Sequence, residues 1–283
     1  MYPNLLIVGA QKSGTTSLHR LLESHRGIFF PPRPQEIHYF DLEENFRRGP
    51  RWYERFFEGW AGEPYCAQTS PLYMYEPAAA GRIHDLLPEA RILFILRHPV
   101  DRAYSHYWHE VRFGYEAAPF AEALELESER LAEGFEGRRQ YSYLDRGRYA
   151  GQIRRFYELF GRDRCLVLLQ DELKASPEAV RLKVADFLRL SSEDFAKDRA
   201  QGWHLNRTGV PRSLRLQRLR RALRHVTPLA VAIDRINLRQ AGYPPMEAAL
   251  RRQLEERLRP EIEALEELTG MDLRRWRRPE RQG

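Results

Sequence analysis

Residues Leu5-Leu6-Ile7-Val8-Gly9-Ala10-Gln11-Lys12-Ser13-Gly14-Thr15-Thr16-Ser17 pass from an apolar run, through a loop bounded by two glycines, into a helical pattern. A strand that ends in such a loop and continues as a helix aims backbone N–H groups at an anion, and the helix dipole adds to the attraction. The glycine spacing is that of the nucleotide P-loop, GxxxxGK[ST], but the lysine is displaced. Thr15 stands where the P-loop lysine follows the second glycine, and Lys12 comes two residues before Gly14. Lysine is scarce here: only Lys12, Lys174, Lys183 and Lys197 contribute to the 46 Lys and Arg residues. The loop therefore reads as a phosphate cradle with its ammonium over the terminal group of the anion, a geometry that does not suit ATP.

The rest of the chain extends this unit into a sheet. Strand-like runs occur at Asn4–Val8, Tyr65–Gln68, Ile92–Leu96 and Cys165–Leu169, the last two almost continuously apolar. Continuous apolar runs suit strands covered on both faces. Helix-period segments lie between them at Gly14–Ser24, Pro77–Leu87, Val100–Phe113, Tyr149–Phe160 and Pro177–Leu188. This alternation predicts an α/β fold with a P-loop-like parallel sheet flanked by helices on both faces. From about residue 205 to 283 the pattern is loop and helix only, at Arg212–His225, around Pro228–Leu238 and at Pro245–Leu268. We read residues 1–283 as a single domain with that helical C-terminal part packed on the sheet.

Bulk properties narrow the class. With 283 residues, 42% hydrophobic and 30% charged, the chain is ordinary for a globular protein, and its net charge of +6 suits an anionic ligand. Cys66 and Cys165 are too few for a disulfide framework or a zinc site. No run approaches the roughly 20 apolar residues needed to span a bilayer, and no secretory signal pattern opens the chain. These features predict a cytoplasmic protein without stable membrane insertion, and with no metal. They leave the oligomeric state open.

Directly after the third strand comes Leu96-Arg97-His98-Pro99-Val100-Asp101-Arg102-Ala103-Tyr104-Ser105-His106. Ligands of parallel sheets bind at the carboxyl ends of the strands, so Arg97 emerges where the first loop does. Pro99 suits the first turn of a helix, and Ser105 falls about two turns into it. A guanidinium and a hydroxyl so placed can share a second phosphate. A strand-end arginine paired with a carboxylate is the bland alternative.

Together, GAQKSGTTS and LRHPVDRAYSHY resemble the two nucleotide signatures of the sulfotransferases that use 3′-phosphoadenosine-5′-phosphosulfate (PAPS). The resemblance implies that Gln11, Lys12, Ser13, Gly14, Thr15, Thr16 and Ser17 hold the 5′-phosphosulfate, and that Arg97 and Ser105 hold the 3′-phosphate. Gln35-Glu36-Ile37-His38-Tyr39-Phe40-Asp41 and Thr69-Ser70-Pro71-Leu72-Tyr73 resemble acceptor-side segments of the heparan sulfate glucosaminyl sulfotransferases. Gly147-Arg148-Tyr149-Ala150 and Leu265–Leu273 also look familial, so the resemblance spans nearly the whole chain.

A hydroxyl attacking sulfur needs a base within hydrogen-bond reach. If residues 34–40 are extended, Glu36 and His38 point to one side. The resemblance implies that Glu36 is the base, with His38 orienting it, while His106 and His109 remain rival bases. Asp41 falls on the opposite face and reads as part of a capping box with Leu42-Glu43-Glu44. The resemblance also implies that Arg207, Thr208 and Gly209 close over the 3′-phosphate.

Three departures from the family pattern stand out. Thr69 replaces a lysine, His98 replaces an aspartate, and a cysteine pair of the substrate-side loop is missing. The expected activity is sulfuryl transfer from PAPS, with 3′,5′-bisphosphate (PAP) as product, to a hydroxyl or amine of a glycan or small-molecule acceptor. The alternative is a P-loop small-molecule kinase. The Arg-rich helix at 212–225 reads as a solvated basic face, and no nucleic-acid partner is expected.

Overall fold

The computed structural model describes residues 1–32, 34–196, 209–223, 225–239 and 242–277. The chain divides into two compact units, Met1–Arg97 with Tyr149–Leu205 and His98–Arg148 with Asn206–Gly283.

The first unit holds a five-stranded sheet. Its strands are β1 (Leu5–Gly9), β2 (Ile28–Phe29), β3 (Tyr65–Thr69), β4 (Arg91–Leu96) and β5 (Cys165–Leu169), in the order β2-β3-β1-β4-β5. Every pairing is parallel, with Leu5 opposite Ala67 on one side and Arg91 on the other. Parallel neighbours need long crossovers, and the helical segments between the strands supply them. Because side chains alternate along a strand, β1 and β4 serve two faces. Leu5, Ile7, Leu93 and Ile95 pack with Leu18, Leu21 and Leu22 of the Thr15–Glu23 helix and with Val180, Val184 and Leu188 of the Pro177–Leu188 helix. Phe94 points to the other face, where its ring meets Phe156 of the Tyr149–Phe160 helix at 5.3 Å. The four predicted strands are present within a residue or two. The fifth, β2, is only two residues long and pairs with β3 alone, so it left no periodic signal.

Among its described residues the second unit has helices, loops and one two-residue antiparallel ribbon, β6 (Val210–Pro211) with β7 (Leu238–Arg239). Val100, Ala103, Tyr107 and Val111 of the Pro99–Phe113 helix share a core with Leu254 and Leu258 of the Ala248–Thr269 helix. Buried charges hold the connecting loops. Arg102 donates to the carbonyl of Ser142 at 3.2 Å and to that of Tyr143. Glu116 accepts from the amides of Ala117 and Ala118, from Arg130 and from Tyr143. Buried charges hydrogen-bonded in this way fix loop geometry that apolar packing alone would leave loose.

Candidate active site

The carboxyl ends of β1 and β3 build the centre of the site. Gly9 ends β1 against Met74: a Cβ added there would lie 2.6 Å from Cβ of Met74 and 2.8 Å from its Sδ. Beyond Gly9 the chain twice enters the left-handed region, at Lys12 (φ 67°) and at Gly14 (φ 101°). Gly14 then caps the Thr15–Glu23 helix, and as a glycine it brings no side-chain cap to it. The N–H groups of a first turn lack intrahelical acceptors, which suits such a terminus to an external anion. Ser13 is wholly buried, and its hydroxyl has no hydrogen-bond partner among the described residues. Thr15 is buried, while Gln11, Lys12, Thr16 and Ser17 are half-buried. An uncapped helix terminus, an orphaned hydroxyl and a floor that admits only glycine fit a phosphate or phosphosulfate group. Gln170, directly after β5, closes the loop from the side, with Nε2 3.3 Å from the position of a Cβ on Gly14.

Glu36 and His38 meet, as predicted, and Asp41 joins them. His38 Nδ1 lies 2.8 Å from Asp41 Oδ2, and Nε2 lies 3.3 Å from Glu36 Oε2. Burial pulls the His38 pKa down, but the hydrogen bonds and charges of Asp41 and Glu36 outweigh it and raise the value to about 9. At neutral pH the ring is therefore an imidazolium that donates from both nitrogens.

The capping role expected of Asp41 is not what the structure shows. The short helix Glu43–Phe46 starts from Leu42 and has no side-chain cap. Alternation placed Asp41 on the far face because it assumed an extended segment. His38 instead has φ 53°, and this left-handed residue turns the chain so that Asp41 returns to the imidazole.

The loop that packs against Gly9 also holds this triad. The amides of Ser70 and Met74 donate to the carbonyls of Ile7 and Val8, at 3.0 and 2.9 Å. Next to Met74, the Tyr73 hydroxyl accepts from the Tyr39 amide at 3.0 Å and from Gln68 Nε2 at 3.1 Å. Asn45 donates to the His38 carbonyl at 3.1 Å, and Tyr39 stacks on Tyr53 with ring centres 4.5 Å apart. Tyr73 was marked in the sequence only as part of an acceptor-side segment, and Gln68, Met74 and Gln170 were missed as site residues. Each acts through a contact distant along the chain, and no local pattern marks it.

At Thr69, the position of the missing lysine, the structure puts His19. Its Nδ1 lies 2.9 Å from Thr69 Oγ1. Burial lowers the His19 pKa, Glu23 opposes this and Arg20 adds to it. Thr69 thus pairs with a ring that burial biases toward its neutral form.

The remaining candidates belong to both units. Arg97 follows β4, half-buried, and its carbonyl accepts from the Tyr149 hydroxyl at 3.0 Å. Ser105 belongs to the second unit, buried in the Pro99–Phe113 helix with Oγ 3.2 Å from the Tyr243 hydroxyl. His98 is buried and bonds through Nε2 to the Trp276 carbonyl at 2.9 Å. Gly209 is buried against Leu238, whereas Arg207 and Thr208 lie outside the described residues. Of the rival bases, His106 is wholly buried with Nε2 3.4 Å from Glu110 Oε1, and His109 packs its ring on Phe113 at 4.7 Å.

With this geometry in place, the comparisons with known proteins agree. The family model of the sulfotransferase domain matches residues 2–215. Among curated relatives, a bifunctional heparan sulfate N-deacetylase/N-sulfotransferase 1 of Caenorhabditis elegans is 28% identical over 68% of this chain and 23% of its own length. The human N-deacetylase/N-sulfotransferase 3 is 32% identical over 66% of this chain and 22% of its own. The chain thus spans under a quarter of the length of these relatives. A sulfotransferase from Alicyclobacillus acidocaldarius, whose crystal structure is solved, is 30% identical, with a TM-score of 0.74 over 98% of this chain and 100% of that one.

Proposed function

The chain belongs to the sulfotransferase domain family, and we propose that it transfers a sulfuryl group from PAPS to a hydroxyl or amine of a carbohydrate or small-molecule acceptor. The observation that carries this reading is one loop, residues 70–74, that supports both an anion cradle and a carboxylate–imidazolium–carboxylate triad. Bound PAPS supplies the sulfuryl group, which passes to the acceptor by in-line displacement as PAP departs.

The chain's own groups divide the work. Gln11, Ser13, Gly14, Thr15, Thr16 and Ser17 hold the 5′ end through first-turn amides and hydroxyls. Lys12 neutralises the charge that develops on the departing oxygen. Arg97 and Ser105, with Arg207, Thr208 and Gly209, take the 3′-phosphate. Glu36, the most exposed of the triad, receives the acceptor proton at its carboxylate. His38 holds Glu36 in place, and Asp41 holds His38. The burial of His106 supports Glu36 over that rival as the base.

No helix among the described residues is long and apolar enough to cross a membrane. Cytoplasmic residence belongs to the same proposal. Its support is that Cys66 and Cys165 are both free and buried, with burial raising each thiol pKa to about 12. A glycan acceptor is supported by the names of the curated relatives.

Isothermal titration with PAP and with ATP tests the donor assignment. Tight PAP binding that weakens when the 3′-phosphate is removed is the expected result. ATP binding indifferent to that phosphate would return the reading to a P-loop kinase. Incubation with labelled PAPS and panels of glycans, phenols and amines would then identify the acceptor.

A further inference from the structure

The helices Leu214–Ala222 and Thr227–Asn237 carry a surface that sulfuryl transfer does not use. The pair is closed at its base by β6 and β7. Asn237, buried there, exchanges bonds of 2.8 Å with Ser213 and accepts from the Arg212 amide at the same distance. The inner face is polar and well anchored. Gln217 is buried so close to Gly114 that a Cβ on that glycine would lie 2.3 Å from the Gln217 carbonyl oxygen. Arg220 bonds Asp234 at 2.6 Å and lies 4.9 Å over the Phe113 ring, while Arg221 lies 4.5 Å over Tyr115.

Both helices also leave large apolar side chains exposed. Leu214, Leu216, Leu219, Leu229, Val231 and Ile236 are all exposed, Leu229 by 50% and Ile236 by 70%. Scattered exposed leucines need no explanation, but a run of them on two packed helices does. The charge around them has one sign. Between Val210 and Arg239 the only acidic residue is Asp234, which Arg220 engages, and Arg212, Arg215, Arg218, Arg235 and Arg239 are exposed.

We propose that this helical pair docks on an anionic lipid surface. Its aliphatic side chains would enter the interfacial layer and its arginines would meet the lipid phosphates. Helices of 9 and 11 residues are too short to span a bilayer, so they lie on it. A second copy of the chain is the poorer occupant, because a symmetric contact would face arginines with arginines. Nucleic acid would use the arginines but gain nothing from exposed leucine and isoleucine.

Vesicle flotation of the full chain tests this, with phosphatidylcholine alone and with added phosphatidylglycerol. Recruitment to the anionic vesicles and little to the neutral ones is expected. Replacing Leu229 and Ile236 together by Asn should weaken recruitment about tenfold, and Arg215→Gln or Arg218→Gln about fivefold each. PAP binding should be unchanged in all three. Equal recruitment to neutral vesicles, or unchanged recruitment of the double Asn variant, would overturn the proposal. So would sedimentation showing a dimer that the double variant dissolves, or duplex DNA binding that depends on the arginines but not on Leu229 and Ile236.

Discussion

The hydroxyl of Tyr73 accepts a 3.0 Å hydrogen bond from the backbone amide of Tyr39. This bond fixes the segment carrying Glu36, His38 and Asp41 to the loop whose next residue, Met74, packs against Gly9. Burial raises the Tyr73 pKa, with the Asp41 charge adding to it, so the phenol stays neutral. Tyr73→Phe leaves the Tyr39 amide and the Gln68 amide group short of an acceptor, at a cost of about 1–3 kcal/mol. Thermal denaturation should show that loss, and kcat should fall more than PAP affinity. An unchanged kcat would mean that the bond does not position the base.

Lys12 and Glu36 should separate cleanly in kinetics. Lys12→Ala is expected to lower kcat by about 10²–10³. Glu36→Gln is expected to lower it by about 10²–10⁴, with PAP affinity by calorimetry unchanged. Full activity in Glu36→Gln would transfer the role of base to another group, His109 being more accessible than His106.

The triad predicts a pH dependence of stability with a defined sign. Folding raises the His38 pKa from 6.5 to about 9. Its stabilising contribution is therefore complete below pH 6.5 and is lost as pH rises through about 9. Melting temperature should fall across that interval, and Asp41→Asn should flatten the fall. Activity should drop at the alkaline end too, because a neutral imidazole donates from one nitrogen only. A profile identical in wild type and Asp41→Asn would count against the pairing.

Two glycines offer an internal comparison. Gly9→Ala forces a Cβ against Met74 and should destabilise by about 1–3 kcal/mol while weakening PAP binding. Gly81→Ala, in the Pro77–Leu86 helix with nothing within 4 Å of its Cβ position, should stabilise by roughly 0.5–1 kcal/mol. Denaturant titration of both variants decides whether the close approach at Gly9 is as tight as the geometry requires.

What the sequence by itself determined was everything governed by local period and spacing. Runs such as Ile92–Leu96 and Cys165–Leu169 announce doubly covered strands. The glycines at 9 and 14 announce the turn between β1 and the helix that follows it. Glu36 and His38, two apart, fall together in any extended segment. The tertiary structure decided what depends on contacts remote along the chain. It brought Asp41 back to His38 through a left-handed residue that alternation could not foresee. It placed Tyr73 under Tyr39 and His19 against Thr69, pairings 34 and 50 residues apart. It also left Leu214, Leu216 and Leu219 of the Arg-rich helix exposed beside its arginines. Period tells which residues share a face, and only packing determines whether that face is covered.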